Sequence, residues 1–138
     1  VPHCTSDDTF RGVIGDSATA VFNGRIHIHP DAQKTRAQLN NRNLLTSAHA
    51  TINTKPELEI YADDVQCAHG ATVAQLDPLM LHYMKTRGIG AEEAQTLLSF
   101  GFINEVVNTI RIDALRDFLR PLLARRFASD PTLTRHLA

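Results

Sequence analysis

The spacing of apolar residues changes near Val73, and this change restricts the possible folds more than any other feature of the sequence. Before it, apolar side chains recur at every second residue, as in Ile26 and Ile28 or in Leu58 and Ile60. After it, they recur at intervals of three and four residues. Because strands repeat every second residue and helices every ~3.6, the sequence predicts a β region over residues 1–74 and a helical region over 75–138.

Turn-forming residues divide the β region into short strands, with no stretch long enough for a crossover helix. We predict breaks at residue pairs that suit turns, namely Asn23-Gly24, Pro30-Asp31, Asn40-Asn41, Lys55-Pro56 and Asp63-Asp64. A sandwich and the stacked coils of a β-helix both fit this pattern. Ala-rich inward positions and Asn-containing bends favour stacked coils, because the interior of a coil is narrow.

Helix signals follow the change of period. The first predicted helix runs from Pro78 to Arg87, with Asp77 as its N-cap and Gly88 just beyond its end. A second helix begins near Ala91, and acidic residues in its first turn suit the helix dipole.

The second predicted helix contains Gly101, a candidate interruption, and the third begins near Asp113. Pro121 removes one internal hydrogen bond of the third helix, so we expect a bend or a split there.

Composition excludes several classes of protein. The 138 residues carry a formal net charge of -1 and are 43% apolar, which is a globular composition without the basic excess of nucleic-acid binding proteins. No apolar run reaches the ~20 residues of a membrane-spanning helix. Two cysteines cannot form a disulfide framework, so we expect a reducing, cytoplasmic location. Because the chain opens with Val1 rather than Met, we also expect it to be a fragment of a longer protein.

Two histidines at alternate positions form the first candidate site. His27 and His29 share one face of a strand, and such pairs can bind a metal, as in cupin-type enzymes. The expected carboxylate is missing at the right distance, since Asp31 is too close and Gln33 is a poor ligand. The pattern therefore favours two solvated strand histidines beside Ile26 and Ile28 over a metal site.

A thiol and an imidazole form the second candidate site. Cys67 and His69 share a face by strand parity and could reach one metal ion or one neighbouring subunit. Two such donors suit zinc, copper or iron-sulfur chemistry but do not close a site, since a cluster takes about four protein ligands. The pair is either a buried cysteine beside a satisfied histidine or half of a site that a second chain completes.

Five segments carry a recognisable pattern, and they are Phe22-Asn23-Gly24, Asn43-Leu44-Leu45, the run from Thr54 to Val65, Cys67-Ala68-His69-Gly70-Ala71-Thr72 and Arg87-Gly88-Ile89. Together they resemble the SufB/SufD family of iron-sulfur cluster assembly proteins over residues 10–127. The form YADDVQCAHG, from Tyr61 to Gly70, resembles SufD rather than SufB.

The resemblance implies the C-terminal part of a SufD-like protein. The expected fold is the last coils of a right-handed parallel β-helix followed by a small C-terminal helical domain. The family implies a scaffold and not an enzyme: a SufB-like paralogue pairs with the β-helix, and a SufC-like ATPase docks on the helical domain.

The resemblance also implies residue roles. A transient iron-sulfur cluster, shared with the SufB-like partner, would form beside His69 and Cys67, with no permanently bound cofactor and with ATP bound only by the SufC-like partner. The ATPase-docking candidates lie on the second helix and are Ala91, Glu92, Glu93, Ala94 and Phe102. Because most of the β-helix is absent, we expect the chain to self-associate through its exposed end coil or its partner-facing edge.

Two other functions remain open at this point. One is a cupin-like metalloenzyme, which metal binding at His27 and His29 would favour. The other is a β-helix interaction module without any role in cluster assembly, which harmless mutation of Cys67 and His69 would favour.

Overall fold

The computed structural model describes residues Val1–Phe127, and the chain divides into two compact units, Val1–Ala74 and Gln75–Ala138. The first unit is built from strands and the second from helices. In chain order the elements are β1 (Thr5–Ile14), β2 (Thr19–Ile28), β3 (Arg36–Leu45), β4 (Thr51–Ile60), β5 (Gln66–Gln75), α1 (Pro78–Thr86), α2 (Ala91–Asn108) and α3 (Asp113–Phe127). The prediction of a β region followed by an α region is confirmed.

Alternate strands along the chain pair with one another in two parallel sheets. One sheet has the order β1-β3-β5 and the other contains β2 and β4. Thr5 pairs with Arg36, and Thr19 pairs with Thr51, so the chain returns to the same sheet after 31 or 32 residues. Each passage of the chain thus adds one strand to each sheet, which is the layout of stacked coils. The right-handed, closed coil that the resemblance implies remains a prediction.

The core of the β unit is formed by small and branched side chains at alternate positions of β2 and β3. Ile26, Ile28, Ala37, Leu39 and Ala62 are all buried there and contact one another. Burial of apolar surface on this scale is the main favourable contribution to folding. The parity that the sequence predicted for Ile26 and Ile28 therefore places both of them inward.

Two of the five predicted breaks are correct, and three are wrong. Pro30-Asp31 and Asp63-Asp64 lie between strands, whereas Asn23-Gly24, Asn40-Asn41 and Lys55-Pro56 lie inside β2, β3 and β4. In each wrong case the residue types suit a turn, but tertiary packing uses them inside a strand.

Gly24 lies within β2 at a point where neighbouring side chains leave no room for a Cβ. A Cβ at this position would lie 2.7 Å from the ring of Phe22 and 3.0 Å from a methyl of Leu39. The glycine therefore admits two larger side chains to the narrow interior, which is a packing requirement and not a turn.

Pro56 is tolerated within β4 because an N–H at this position would point away from the neighbouring strand β2. The N–H groups of Thr51 and Tyr61 donate to the carbonyl oxygens of Ala18 and Ile28 on the β2 side. Position 56 has the opposite parity, so an N–H there would point away from β2, toward the outer edge of this two-stranded sheet. The proline thus removes no hydrogen bond between β2 and β4.

Asn41 and Asn43 form a polar layer inside the β unit, although the sequence pattern predicted that asparagines lie in bends. Both are 2% exposed. The Asn43 amide and the Thr54 hydroxyl both donate to the Asn41 carbonyl oxygen, at 2.5 and 2.7 Å. Since β3 carries Asn41 and β4 carries Thr54, this network joins the two sheets through the interior.

The helical predictions hold in most respects. The Asp77 carboxylate accepts from the Leu79 N–H at 2.9 Å and caps α1, and Gly88 follows the helix with φ +84. The interruption expected at Gly101 is wrong, because α2 runs through it. The split expected at Pro121 is also wrong, because α3 continues past the proline to Phe127.

The second unit has a small apolar core between α2 and α3. Phe100 and Ala124 are buried, and Leu97, Leu123 and Phe127 pack against them. The rings of Phe100 and Phe127 meet edge to face, with centroids 6.2 Å apart. None of the described helices is long and apolar enough to span a membrane.

We expect Asn41→Ala to lower the free energy of unfolding by about 2–3 kcal/mol, because it removes the acceptor of the buried Asn43 amide and of the half-buried Thr54 hydroxyl. Urea unfolding followed by circular dichroism measures the change. The matched control is Asn23→Ala on the exposed face of β2, for which we expect less than about 0.5 kcal/mol. Equal stability of the two variants would contradict a structural role for the buried asparagines.

Candidate functional site

The strand that carries Cys67 and His69 lies at the edge of its sheet. β5 is the last strand in the order β1-β3-β5. Its first N–H, that of Gln66, donates to the Thr35 carbonyl oxygen at 2.9 Å. The Arg36 N–H donates to the Cys4 carbonyl oxygen in the same way at the start of the β1–β3 pair. β5 therefore continues the parallel register, with Gln66 beside Arg36.

This register places Cys67 beside Ala37 and His69 beside Leu39, on the inward row of the sheet. Cys67 is half-buried and packs against the apolar core, whereas His69 is exposed. The two side chains share a face of β5, but their surroundings differ. The imidazole is already open to solvent, and the thiol is partly covered.

A shallow cavity of about 250 Å³ lies along the start of the β3–β5 pair and gives access to Cys67. Its lining residues are Arg36, Ala37, Gln38, Gln66, Cys67 and Ala68. Over residues 1–127, no group of three or more His, Cys, Asp or Glu side chains converges to hold a metal ion. The thiol and imidazole are thus two donors without a third in the described part of this chain.

The bend before β5 is fixed by the side chain of Gln33. Its amide oxygen accepts from the Asp64 N–H at 2.9 Å, and its amide nitrogen donates to the Pro30 carbonyl oxygen at 3.0 Å. The Lys34 N–H in turn donates to the Asp64 carbonyl oxygen at 2.5 Å. Gln33 therefore connects the bends of two successive coils and positions the start of the strand that carries Cys67.

The histidine pair lies on the other sheet, on its outward face. His27 and His29 are both exposed, with ring centroids 4.5 Å apart. The Nδ1 of His27 is 2.9 Å from one oxygen of Glu59, whose other oxygen accepts from Arg25 at 3.0 Å. The hydrogen bond from His27, followed by the nearby Arg25 guanidinium, lowers the pKa of Glu59 below its usual value.

The cupin-like alternative loses support from the strand pairing. Cupins are antiparallel double sheets, whereas the pairs β1–β3 and β2–β4 are parallel. The carboxylate that sequence spacing failed to supply does exist, because Glu59 reaches His27 from the neighbouring strand β4.

The docking candidates occupy different environments on α2. Ala91 and Glu92 are exposed, Glu93 and Phe102 are half-buried, and Ala94 is 1% exposed. Ala94 therefore acts within the packing of the helix and offers no surface to a partner. Glu92 is therefore the more exposed of the two carboxylates at the start of α2.

The N-terminus of α2 also depends on these acidic residues. Its N-cap is Gly90, which makes no side-chain capping hydrogen bond, and Glu92 and Glu93 lie in the first turn. Each negative charge there stabilises a helix by about 0.3–1 kcal/mol. A charge reversal at these positions would disturb both the helix and any docking surface.

Sequence reasoning missed Gln33 and Glu59 as positioning residues. Gln33 contacts Asp64 and Glu59 contacts His27, at separations of 31 and 32 residues. These separations equal the coil repeat, so a comparison of the sequence with itself at that offset could have found both pairs.

The chain resembles known proteins over most of its length. Residues 1–102 match the family model described as SUF system FeS cluster assembly, SufBD core domain. The protein named iron-sulfur cluster assembly protein SufD of Escherichia coli is 38% identical over 123 residues, which is 89% of this chain and 29% of that protein. The protein of the same name in Bacillus subtilis is 38% identical over 115 residues, or 83% of this chain and 26% of that protein.

A Synechocystis protein named as an iron-sulfur cluster assembly SufBD family protein is 39% identical over 125 residues, which is 91% of this chain and 28% of that protein. The chain thus spans less than a third of the length of the curated relatives it matches. It belongs to the SufB/SufD family and is SufD-like, as the sequence resemblance indicated.

We expect Gln33→Ala to free the bend that precedes β5, because it removes both side-chain hydrogen bonds. The free energy of unfolding should fall by about 1–2 kcal/mol, and the backbone amide of Asp64 should exchange with solvent at least several-fold faster. Hydrogen exchange measured by NMR tests this, with Gln75→Ala at the exposed end of β5 as the control. Unchanged protection of Asp64 would remove Gln33 from this role.

Proposed function

We propose that this SufD-like chain is part of a scaffold on which an iron-sulfur cluster is assembled. In this proposal the β unit meets a SufB-like paralogue along the strand that carries His69, and the helical unit docks a SufC-like ATPase. The cluster is the cargo of the complex, and ATP is bound and hydrolysed by the ATPase partner. We propose no catalytic residue in this chain itself.

The exposure of His69 on an edge strand is the observation that best supports the proposal. His69 follows Cys67 on the inward row of β5, and its imidazole is open to solvent, as are Ala71 and Val73 further along that row. With Cys67 on the same face, the strand offers two borderline-to-soft donors of the kind that bind iron in clusters. Residues 1–127 supply no third ligand of this kind nearby, and in this proposal the partner chain supplies the remaining ligands.

The partial burial of Cys67 gives the proposed complex a point of control. The thiol packs against the apolar core and is reached through the shallow cavity, so outward movement of β5 or opening of the edge by a partner would expose its sulfur more fully as a ligand. An edge strand with one hydrogen-bonded neighbour is easier to displace than a central strand. We therefore propose that access to Cys67, more than access to His69, changes during assembly.

The connection between the two units would transmit such a movement. Only Leu76 and Asp77 separate the end of β5 from the start of α1, and Asp77 is fixed as the N-cap of that helix. A force on the helical unit would thus act directly on the strand that carries the thiol. ATP can drive this change only if the ATPase binds its nucleotide with different affinity in the two states.

An interaction module without any cluster role is the remaining alternative, and the same surface would serve it. The two functions differ in one outcome. Only the scaffold requires the thiol and the imidazole, whereas a module would require only the shape of the edge.

We expect His69→Ala to lower the cluster content of the complex of full-length protein with its SufB-like and SufC-like partners by at least about ten-fold, since loss of even an outer-shell partner of a metal has that effect. Because the side chain is exposed, folding should be unchanged. Iron and sulfide content of the purified complex measures the effect.

The matched control is His49→Ala, which removes an exposed histidine from the segment between β3 and β4. Full cluster content in the His69 variant, with the complex intact, would favour the interaction module. Loss of the cluster in both variants would show that the effect is not specific to the proposed site.

We expect the double variant Glu92→Gln, Glu93→Gln to weaken binding of the SufC-like ATPase about five-fold, since each exposed charge pair contributes about 0.5 kcal/mol. Glutamine keeps the helix propensity of glutamate and adds no opposite charge to the first turn. Calorimetry with the purified ATPase measures the affinity, and circular dichroism reports the helix. Native affinity would contradict this docking surface, and Asp63→Asn in the β unit is the control.

A further inference from the structure

The outward face of the sheet formed by β2 and β4 carries a second pair of metal-binding side chains. His27 and His29 occupy alternate positions of one strand and its end, and their rings meet edge to face at 4.5 Å between centroids. The His27 side chain is 38% exposed, and His29 is exposed. Both imidazoles are thus open to solvent.

The surroundings of His27 decide which ring nitrogen is available. Glu59 accepts a hydrogen bond at Oε2 from Nδ1 of His27, and Arg25 binds its Oε1. An ionised carboxylate has no proton to donate, so Glu59 can only accept in its contacts with His27 and Arg25. The proton of this contact therefore lies on Nδ1, which leaves Nε2 as the ring nitrogen that can bind a metal ion.

This arrangement matches a recurring feature of protein metal sites. A histidine that binds a metal usually donates its other ring N–H to a carboxylate, which fixes the tautomer and raises the basicity of the ligand. Arg25 also restricts the carboxylate, so that the orientation of His27 is set before any ion arrives.

We propose that His27 and His29 chelate a divalent transition-metal ion of the zinc class, with Glu59 as the carboxylate that orients His27. Imidazole nitrogen suits zinc, copper and nickel, whereas calcium and magnesium prefer oxygen ligands. Since no third ligand of the His, Cys, Asp or Glu type converges here in the described chain, water completes the coordination. Such a site exchanges its metal and holds it on a different sheet from Cys67.

The proposal explains a charged arrangement that the scaffold function does not require. Arg25, His27 and Glu59 lie on the outward face, where they add nothing to the apolar core. Exposed ion pairs also contribute little to stability. An exchangeable ion at this position would be a property of the chain additional to cluster assembly.

The test is a calorimetric titration of the 138-residue chain with zinc chloride, in a Cys4→Ser, Cys67→Ser background that removes both competing thiols. We expect one zinc ion per chain, with at least about ten-fold weaker binding after His27→Gln or His29→Gln. Glu59→Gln should weaken binding by about ten-fold, since an outer-shell partner has that effect. His49→Gln is the control and should bind zinc as the parent does.

A second readout identifies the coordinating atom. In ¹⁵N spectra of the histidine rings, zinc should shift Nε2 of His27 and leave Nδ1 protonated. Zinc affinity that is unchanged in both His27→Gln and His29→Gln would overturn the proposal. So would coordination through Nδ1, because it would require the hydrogen bond to Glu59 to break.

Discussion

Parallel pairing of strands 31 or 32 residues apart is the interaction on which the rest of the β unit depends. It sets β3 beside β1 and β4 beside β2, residue for residue. Two of the contacts described above are direct consequences of this one offset. Gln33 reaches Asp64, and Glu59 reaches His27, because each pair lies one coil apart. A slip of one residue would reverse which side chains face the core.

Two residues on the same row of β5 differ in exposure. Cys67 lies beside Ala37 and packs against the apolar core, so its thiol is partly covered. His69 lies two positions further along the same row and is open to solvent. A single edge strand thus combines an accessible imidazole with a protected thiol. That combination suits a site that a partner completes and a movement of the strand controls.

Local sequence signals were reliable where local interactions decide the structure. The cap at Asp77 and the end of α1 before Gly88 depend on residues within one helical turn, and both were predicted. The same kind of signal failed at Gly24 and Pro56, which form part of strands. Gly24 is needed in β2 because the ring of Phe22 leaves no room for a side chain there. Pro56 is tolerated in β4 because an N–H at that position would point away from β2.

The sequence by itself determined the order of β and α regions, the shared face of Cys67 and His69, and the family, because these depend on periodicity and on residue identity along the chain. Only the tertiary structure decided that the thiol is half-buried while the imidazole is exposed, and that Glu59 orients His27. These features depend on contacts between successive coils. Periodicity within one strand carries no information about which strand lies beside it.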